Sequence, residues 1–150
     1  ILIMSKKISS PKIWGPPLWD ILHYITFRYC PSESKKVERL FLYDLPNLMP
    51  CRSCRNHYKK YCKENPIKLA SRESLSRWLI RIHNLVNKQL GKEKRSYEDM
   101  RFRYTNSSST ERVRQSFLKW TNVMKVNVVK GDLKTQRSYG VLLSFIFNYV

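Results

Sequence analysis

Residues 50–62 read PCRSCRNHYKKYC and hold three of the four cysteines of the chain in one short basic stretch. Pro50 breaks the preceding segment, Asn65-Pro66 ends the next one, and the residues between, Cys51 to about Lys63, read as a helix with a Cys-x-x-Cys pair in its first turn. A thioredoxin-type site would need a preceding strand in a βαβ setting, whereas helical patterns surround this segment. A structural zinc site wants a second matched pair of ligands, and a single helix carrying Cys51, Cys54, His57 and Cys62 cannot wrap a tetrahedron alone. Covalent haem attachment would need His directly after Cys54, where Arg55 stands. A first-turn position supplies unpaired N–H groups and the positive end of the helix dipole, and Arg52, Arg55, Lys59 and Lys60 add charge of the same sign. All of these lower a thiol pKa, so the pair reads as a reactive dithiol/disulfide with no metal.

Outward from this stretch the pattern stays helical. Gly15-Pro16-Pro17 closes a basic leader (residues 1–12), and a helix is expected from about Pro17 to Tyr29 with Leu18, Trp19, Leu22, His23 and Thr26 on neighbouring positions of one face. Val37, Leu40, Phe41 and Leu45 form a second stripe, broken at Pro46 and Pro50. Ser71 caps the longest periodic segment, in which Leu75, Trp78, Leu79, Ile82 and Val86 recur at helical spacing before Gly91 stops it. A fifth, short helix follows at about Ser96 to Tyr104. Thr105 to Thr110 reads as a polar linker, and Val113, Phe117, Leu118 and Trp120 as a further helix. Beyond Met124, KVNVV alternates like a strand, Lys130-Gly131-Asp132 is a turn, and the last dozen residues fit helix or strand.

A chain of 150 residues is long enough to bury a core without disulfides, so its cysteines are free for chemistry. Its 29 Lys and Arg against 11 Asp and Glu give a net charge of +18, which attracts nucleic acid, phosphate-bearing cofactors, anionic membrane surfaces and acidic proteins alike. Tyr97, Arg101, Phe102, Arg103 and Tyr104 interleave aromatics with cations as single-strand binders do, which keeps a basic nucleic-acid-binding or virion structural protein with a non-catalytic Cys pair as the alternative reading. Ile1-Leu2-Ile3 is too short an apolar stretch for a signal peptide, and Met4 reads as the natural start. Val141 to Phe147 falls short of the roughly 20 residues of a spanning helix.

Trp14-Gly15-Pro16-Pro17-Leu18-Trp19, Leu22-His23, Cys51-Arg52-Ser53-Cys54, Trp78, His83-Asn84-Leu85-Val86-Asn87 and Leu90-Gly91-Lys92 occur in that order. Taken singly, each is commonplace. As an ordered set, over about Ile13 to Tyr104, they resemble the Erv/ALR family of FAD-linked sulfhydryl oxidases. The pieces also make physical sense together: Trp19 and His23 are i and i+4 on one helix, His83 and Asn87 are i and i+4 on another, and Lys92 just past the helix end can reach a phosphate.

The resemblance implies an all-α fold, a four-helix bundle with a short fifth helix holding FAD at its mouth, commonly as a homodimer, followed by a C-terminal extension (105–150) on which it is silent. It implies a thiol oxidase that forms disulfide bonds in substrate proteins and passes electrons to FAD and then to oxygen, giving peroxide. Cys54 would be the flavin-proximal sulfur and Cys51 the entry sulfur. FAD contacts would fall on Gly15, Trp19, His23, His83, Asn84, Asn87, Lys92, Arg103 and Tyr104. Ile80 and Tyr97 stand where many cellular members have a second disulfide, so apolar packing is expected to hold the fifth helix. Cys30 and Cys62 stand isolated, more readily buried thiols than partners in an intermolecular bridge. With no separate shuttle pair, protein dithiols would meet Cys51 directly or through a thioredoxin-like carrier. This minimal architecture is similar to the short forms encoded by large DNA viruses, which would place it in host cytoplasm or virion.

Overall fold

The computed structural model describes residues 10–149, so most of the basic leader, Met4 included, lies outside the described residues. The described residues are helical throughout, with no strand among them, as the all-α expectation requires. Helix α1 spans Pro11–Thr26 and starts earlier than its proline pair suggests. Pro11 takes the first helical position, where no N–H is needed. Pro16 and Pro17 fall inside the helix and each removes a backbone bond. Burial of Trp14, Leu18, Ile21, Leu22 and Ile25 along the same helix offsets that loss. The helix stops at Thr26, short of Tyr29, where the Thr26 hydroxyl and the Phe27 N–H both bond to the His23 carbonyl.

After a 3-10 turn (Pro31–Glu33) come α2 (Ser34–Arg39), a π-helical turn (Leu40–Asp44) and α3 (Leu45–Asn47), forming one continuous rod. The π turn resets the register, so Pro46 falls in the first turn of α3 and extends the rod instead of ending it. Val37, Leu40, Phe41 and Leu45 are all fully buried. Helix α4 is Arg52–Glu64 and α5 is Arg72–Gln89. Ser71 and Ser74 cap α5 reciprocally, each side chain accepting the other's backbone N–H, at 3.0 and 2.9 Å. Gly91 leaves it at φ 68°, a left-handed conformation that glycine adopts without strain. Helix α6 (Tyr97–Thr105) is capped by Ser96. Where a second disulfide is absent, Tyr97 lies 5.9 Å from the Phe27 ring with the Arg77 guanidinium 3.8 Å from its centroid, and Ile80 is buried, so side-chain packing joins α6 to α1 and α5.

The last third of the chain corrects two expectations. The polar run is no linker: α6 ends at Thr105, α7 (Ser109–Lys130) starts four residues later, and Asn106 Oδ1 takes the Ser108 N–H to close the turn. Within that run Ser109 is buried and Thr110 Oγ1 stands 2.9 Å from the Tyr24 hydroxyl. The alternating KVNVV is the end of α7, because its inward face is set by Val113, Trp120 and Met124 at helical spacing. Gly131 and Asp132 turn the chain into α8 (Leu133–Tyr149), with Asp132 Oδ1 capping the Thr135 N–H at 2.9 Å.

Helix α1 is the axis of the molecule. It packs most extensively on α7 and also touches α5, α6 and α8. Helix α8 lies on the π turn and α3, where Ser138 donates to the buried Asp44 at 2.9 Å and receives a bond from Asn47 at 3.1 Å. The C-terminal hairpin thus shares one core with the bundle through Val113, Trp120, Met124, Leu142 and Ile146.

Candidate active site

Cys51 is the N-cap of α4, and its Sγ accepts the Cys54 backbone N–H at 3.3 Å. The two cysteines are joined as a disulfide, half-buried against the core. Pro50 ahead of the helix and the extended backbone at Cys51 bring both sulfurs to the end of α4 where the amide dipoles add positive potential. Ser53 Oγ lies 3.3 Å from Cys51 Sγ. Arg55 is committed elsewhere, donating to the Met49 carbonyl at 2.7 Å, so it braces the turn that precedes the pair.

Helices α4 and α5 run antiparallel: the Trp78 indole donates to the carbonyl of Asn65, the residue that closes α4, while Gln89 at the end of α5 accepts from Tyr61 further back along α4. The Gln89 amide nitrogen also stands 2.9 Å from His57 Nδ1. This pairing sets His57 and Tyr61 of α4 against the last residue of α5, the helix that carries His83, Asn84 and Asn87 and leads into the loop with Lys92.

The aromatic residues singled out in the sequence come together there. Trp19 of α1 stacks on His83 of α5 with centroids 4.0 Å apart and planes 7° from parallel. His23 Nε2 and His83 Nδ1 are 2.9 Å apart, and Tyr104 of α6 stacks 5.5 Å from His23. Burial drives both imidazoles well toward the neutral form. His23 is held well below its usual value by burial and then by His83, and His83 falls to about 4 by burial, with Arg95 and Lys92 adding repulsion. His23 Nδ1 is buried with no hydrogen-bond partner among the described residues.

Other expected contacts sit nearby with further duties. Asn84 grips the backbone of Arg95 with both ends of its amide, at 3.0 and 2.8 Å, and Asn87 donates to the Glu93 carbonyl at 3.1 Å, so the two asparagines shape the loop that presents Lys92. Lys92 is exposed, and Gly15 is buried on α1 with no atom within 4 Å of where a Cβ would stand. Arg103 and Tyr104 both turn to Asp20, at 3.5 and 2.5 Å. No hydrogen bond or ring contact joins the cysteine pair to the aromatic stack among the described residues. Of the isolated thiols, Cys30 is exposed, contrary to the expectation of burial, because it lies beyond the end of α1 on the 3-10 turn. Cys62 is half-buried, and burial pushes it up to about 11.

Sequence reasoning missed Asp20, which accepts from Tyr104 and Ser116 and ties α1, α6 and α7 beneath the stack. The signal was present: it is the one carboxylate in a largely apolar helix, and a half-buried charge demands partners. It also missed Gln89, whose two partners on α4 were not foreseeable from local spacing.

Residues 16–105 match the family model described as "Erv1 / Alr family". The chain is 35% identical over 81 residues to the FAD-linked sulfhydryl oxidase ERV1 of Arabidopsis thaliana, covering 52% of this chain and 42% of that protein. It is 35% identical over 94 residues to the mitochondrial FAD-linked sulfhydryl oxidase ERV1 of Saccharomyces cerevisiae, covering 59% of this chain and 50% of that one. Against an FAD-linked sulfhydryl oxidase of African swine fever virus it is 33% identical over 97 residues, covering 63% of this chain and 82% of the viral protein. The match spans half or less of the two cellular relatives and most of the viral one. With the motifs, the helical architecture and the matched segment in agreement, the chain belongs to the Erv1/Alr family.

Proposed function

We propose that the chain is an FAD-dependent thiol oxidase that forms disulfide bonds in protein dithiols. The observation that carries this reading is the Cys51–Cys54 disulfide at the N-terminus of α4, in a chain whose α1 and α5 also lay Trp19 flat on His83. The residues present fit a flavin nucleotide: flat aromatic surface, a buried His23 Nδ1 still in need of a hydrogen-bonding partner, open space beside Gly15, and an exposed Lys92 able to meet a phosphate. Trp19, His23, His83 and Tyr104 would bear on the ring systems, and Asn84 and Asn87 would act by holding the loop that carries Lys92. Arg103 and Gly15 complete the set proposed to hold it.

In the protein's own chemistry, a substrate thiolate attacks Cys51 Sγ, breaks the S–S bond and releases Cys54 as a thiolate. The second substrate thiol, deprotonated, attacks the substrate sulfur of the mixed disulfide and frees Cys51. The substrate leaves with a disulfide, two electrons now reside in the Cys51/Cys54 pair, and two protons pass to solvent or the released thiols. The helix N-terminus stabilises each thiolate as it forms, the Cys54 N–H doing so at Cys51 directly. FAD, held by these residues, would supply the two-electron acceptor for the reduced pair, with oxygen as the final oxidant. Neutral His23 and His83 keep net positive charge out of the buried stack at neutral pH.

The test is direct. The purified protein should be yellow and consume oxygen with a small dithiol, and Cys54→Ser should abolish that consumption while the flavin stays bound. Full turnover in Cys54→Ser would overturn the role given to that sulfur, and a colourless protein without oxidase activity would overturn the reading. We further propose protein dithiols met directly or through a thioredoxin-like carrier, a homodimer, and a viral setting in host cytoplasm or virion. No described helix is long and apolar enough to cross a membrane.

A further inference from the structure

The turn between α7 and α8 forms an apex that carries apolar side chains into solvent. Val129, two residues before Gly131, is 79% exposed, and Leu133, two residues after it, is 58% exposed. Met124 is buried and Val128 still packs against the core, so Val129 faces outward from a helix whose other side is anchored. A Cβ at Gly131 would stand 2.8 Å from the Asn127 carbonyl oxygen, so glycine lets the two helix ends close tightly and keeps both apolar residues at the turn. Single exposed apolar residues are ordinary on a protein surface. These two stand among Lys125, Lys130, Lys134 and Arg137, all exposed, none of which makes an ion pair or a side-chain hydrogen bond among the described residues. From Arg112 onward the sequence has seven Lys and Arg and a single acid, Asp132. That carboxylate is occupied in capping α8, where it accepts the Thr135 N–H and hydroxyl at 2.9 and 3.0 Å.

We infer that this apex docks on an anionic lipid surface, with Val129 and Leu133 entering the headgroup layer and the flanking lysines meeting lipid phosphates and carboxylates. The inference goes beyond the oxidase reading and stands apart from it, because the apex lies outside the matched segment 16–105. An interfacial contact of this kind needs apolar side chains ahead and cations around them, since the long lysine stems can lay their methylenes against the apolar layer while the charges stay among the headgroups. The contact is peripheral: no described helix is long and apolar enough to cross a membrane. Charge decides against a second copy of the chain, which would bring the same lysines against one another. Single-stranded nucleic acid would meet the lysines but find no aromatic face between Asn122 and Gly131 or on the first turn of α8 for a base to stack on. A folded acidic protein would have to offer a hollow to a protruding turn, whereas a headgroup layer yields to it.

The experiment uses the full chain, loaded with flavin, and sedimentation with vesicles of phosphatidylcholine alone or with about 30% phosphatidylserine, in about 0.1 M NaCl. Binding to the anionic vesicles should be about tenfold tighter or more. Val129→Ser/Leu133→Ser keeps the net charge and should weaken that binding about tenfold, and Lys130→Gln/Lys134→Gln should do so by a similar factor. Leu118→Ser/Phe147→Ser removes exposed apolar surface about 16 and 21 Å from the apex pair, at ~1.5 Å per helical residue. Arg101→Gln/Lys119→Gln removes equal charge off the apex, and both controls should bind within about twofold of the unaltered protein. Leu133→Trp should bind more tightly, and its added emission should shift to the blue on anionic vesicles and be quenched by brominated lipid. Equal binding to the two vesicle types, equal loss in the apex variants and the controls, or unquenched emission from Leu133→Trp would each overturn the inference. So would a lipid-free dimer that Val129→Ser/Leu133→Ser dissociates, which would give the apex to a second copy. Binding of a dT20 oligonucleotide that falls as far in that variant would give it to nucleic acid and overturn the inference too. The vesicles report on the apex whether or not the protein consumes oxygen, so a failure of the oxidase reading shows separately, in dithiothreitol turnover.

Discussion

His23 Nε2 and His83 Nδ1 meet at 2.9 Å across the boundary between α1 and α5, with His23 fully buried and Trp19 laid flat on His83. A pair of imidazoles this close and this dry can be held only if both are largely neutral, one N–H donating to the other's lone pair.

The pair therefore predicts acid sensitivity. Both pKa values are depressed from 6.5, that of His83 to about 4, so the unfolded chain binds more protons than the native one between those limits. The stabilisation is complete above about pH 6.5 and is lost as pH falls, with His83 alone worth about 3 kcal/mol at ~1.4 kcal/mol per unit. Urea unfolding followed by circular dichroism should show stability dropping steadily from neutral pH to about 4. A flat profile over that window would refute the neutral-pair description.

The two free thiols should react differently. Cys30 is exposed and its pKa is lowered by a hydrogen bond from Ser32, whereas burial holds the Cys62 thiol up at about 11. Iodoacetamide at mildly alkaline pH, followed by peptide mapping of the oxidised native protein, should modify Cys30 well before Cys62. Comparable rates at the two positions would mean that α4 is not packed as described.

Asp20 predicts a structural role beneath the site. Asp20→Ala leaves the buried Tyr104 hydroxyl and the Ser116 hydroxyl without their acceptor, and should cost about 3 kcal/mol. Asp20→Asn keeps an acceptor oxygen and should cost less. Denaturant melts of the two variants give the comparison, and near-equal losses would point to charge, through Arg103, as the dominant contribution.

What the sequence disclosed follows from locality. Ser71, Gly91, Cys51 and Ser96 announce helix ends because a cap bonds within three or four residues. Pro16-Pro17 misled because the cost of two missing N–H groups was outweighed by burial along all of α1, a tertiary effect. The KVNVV stretch misled because five residues carry period two by accident while Trp120 and Met124, just upstream, carry the helical period that packing enforces. At the site, the i and i+4 spacings of Trp19 with His23 and of His83 with Asn87 were visible. The contact between His23 and His83, sixty residues apart, was not foreseen; the resemblance implied only that each bears on the same ligand. Asn84 and Asn87 were legible as polar groups on one helix, but their commitment to the loop backbone depends on where that loop closes.

Trp120 tests whether the C-terminal hairpin belongs to the same folding unit as the bundle. It is fully buried, stacks 5.4 Å from Tyr139 of α8, and lies on the helix that packs most extensively against α1. Trp120→Ala removes a large side chain from a site whose walls come from the two ends of the chain, and should cost about 3–5 kcal/mol. Because α1 also carries Trp19 and His23, the loss should appear as one cooperative transition, in which far-ultraviolet circular dichroism and bound-flavin fluorescence change together at a lower midpoint. Two separate transitions, with the hairpin melting first and flavin retained, would show instead that residues 109–149 fold as an independent layer on a bundle able to stand without them.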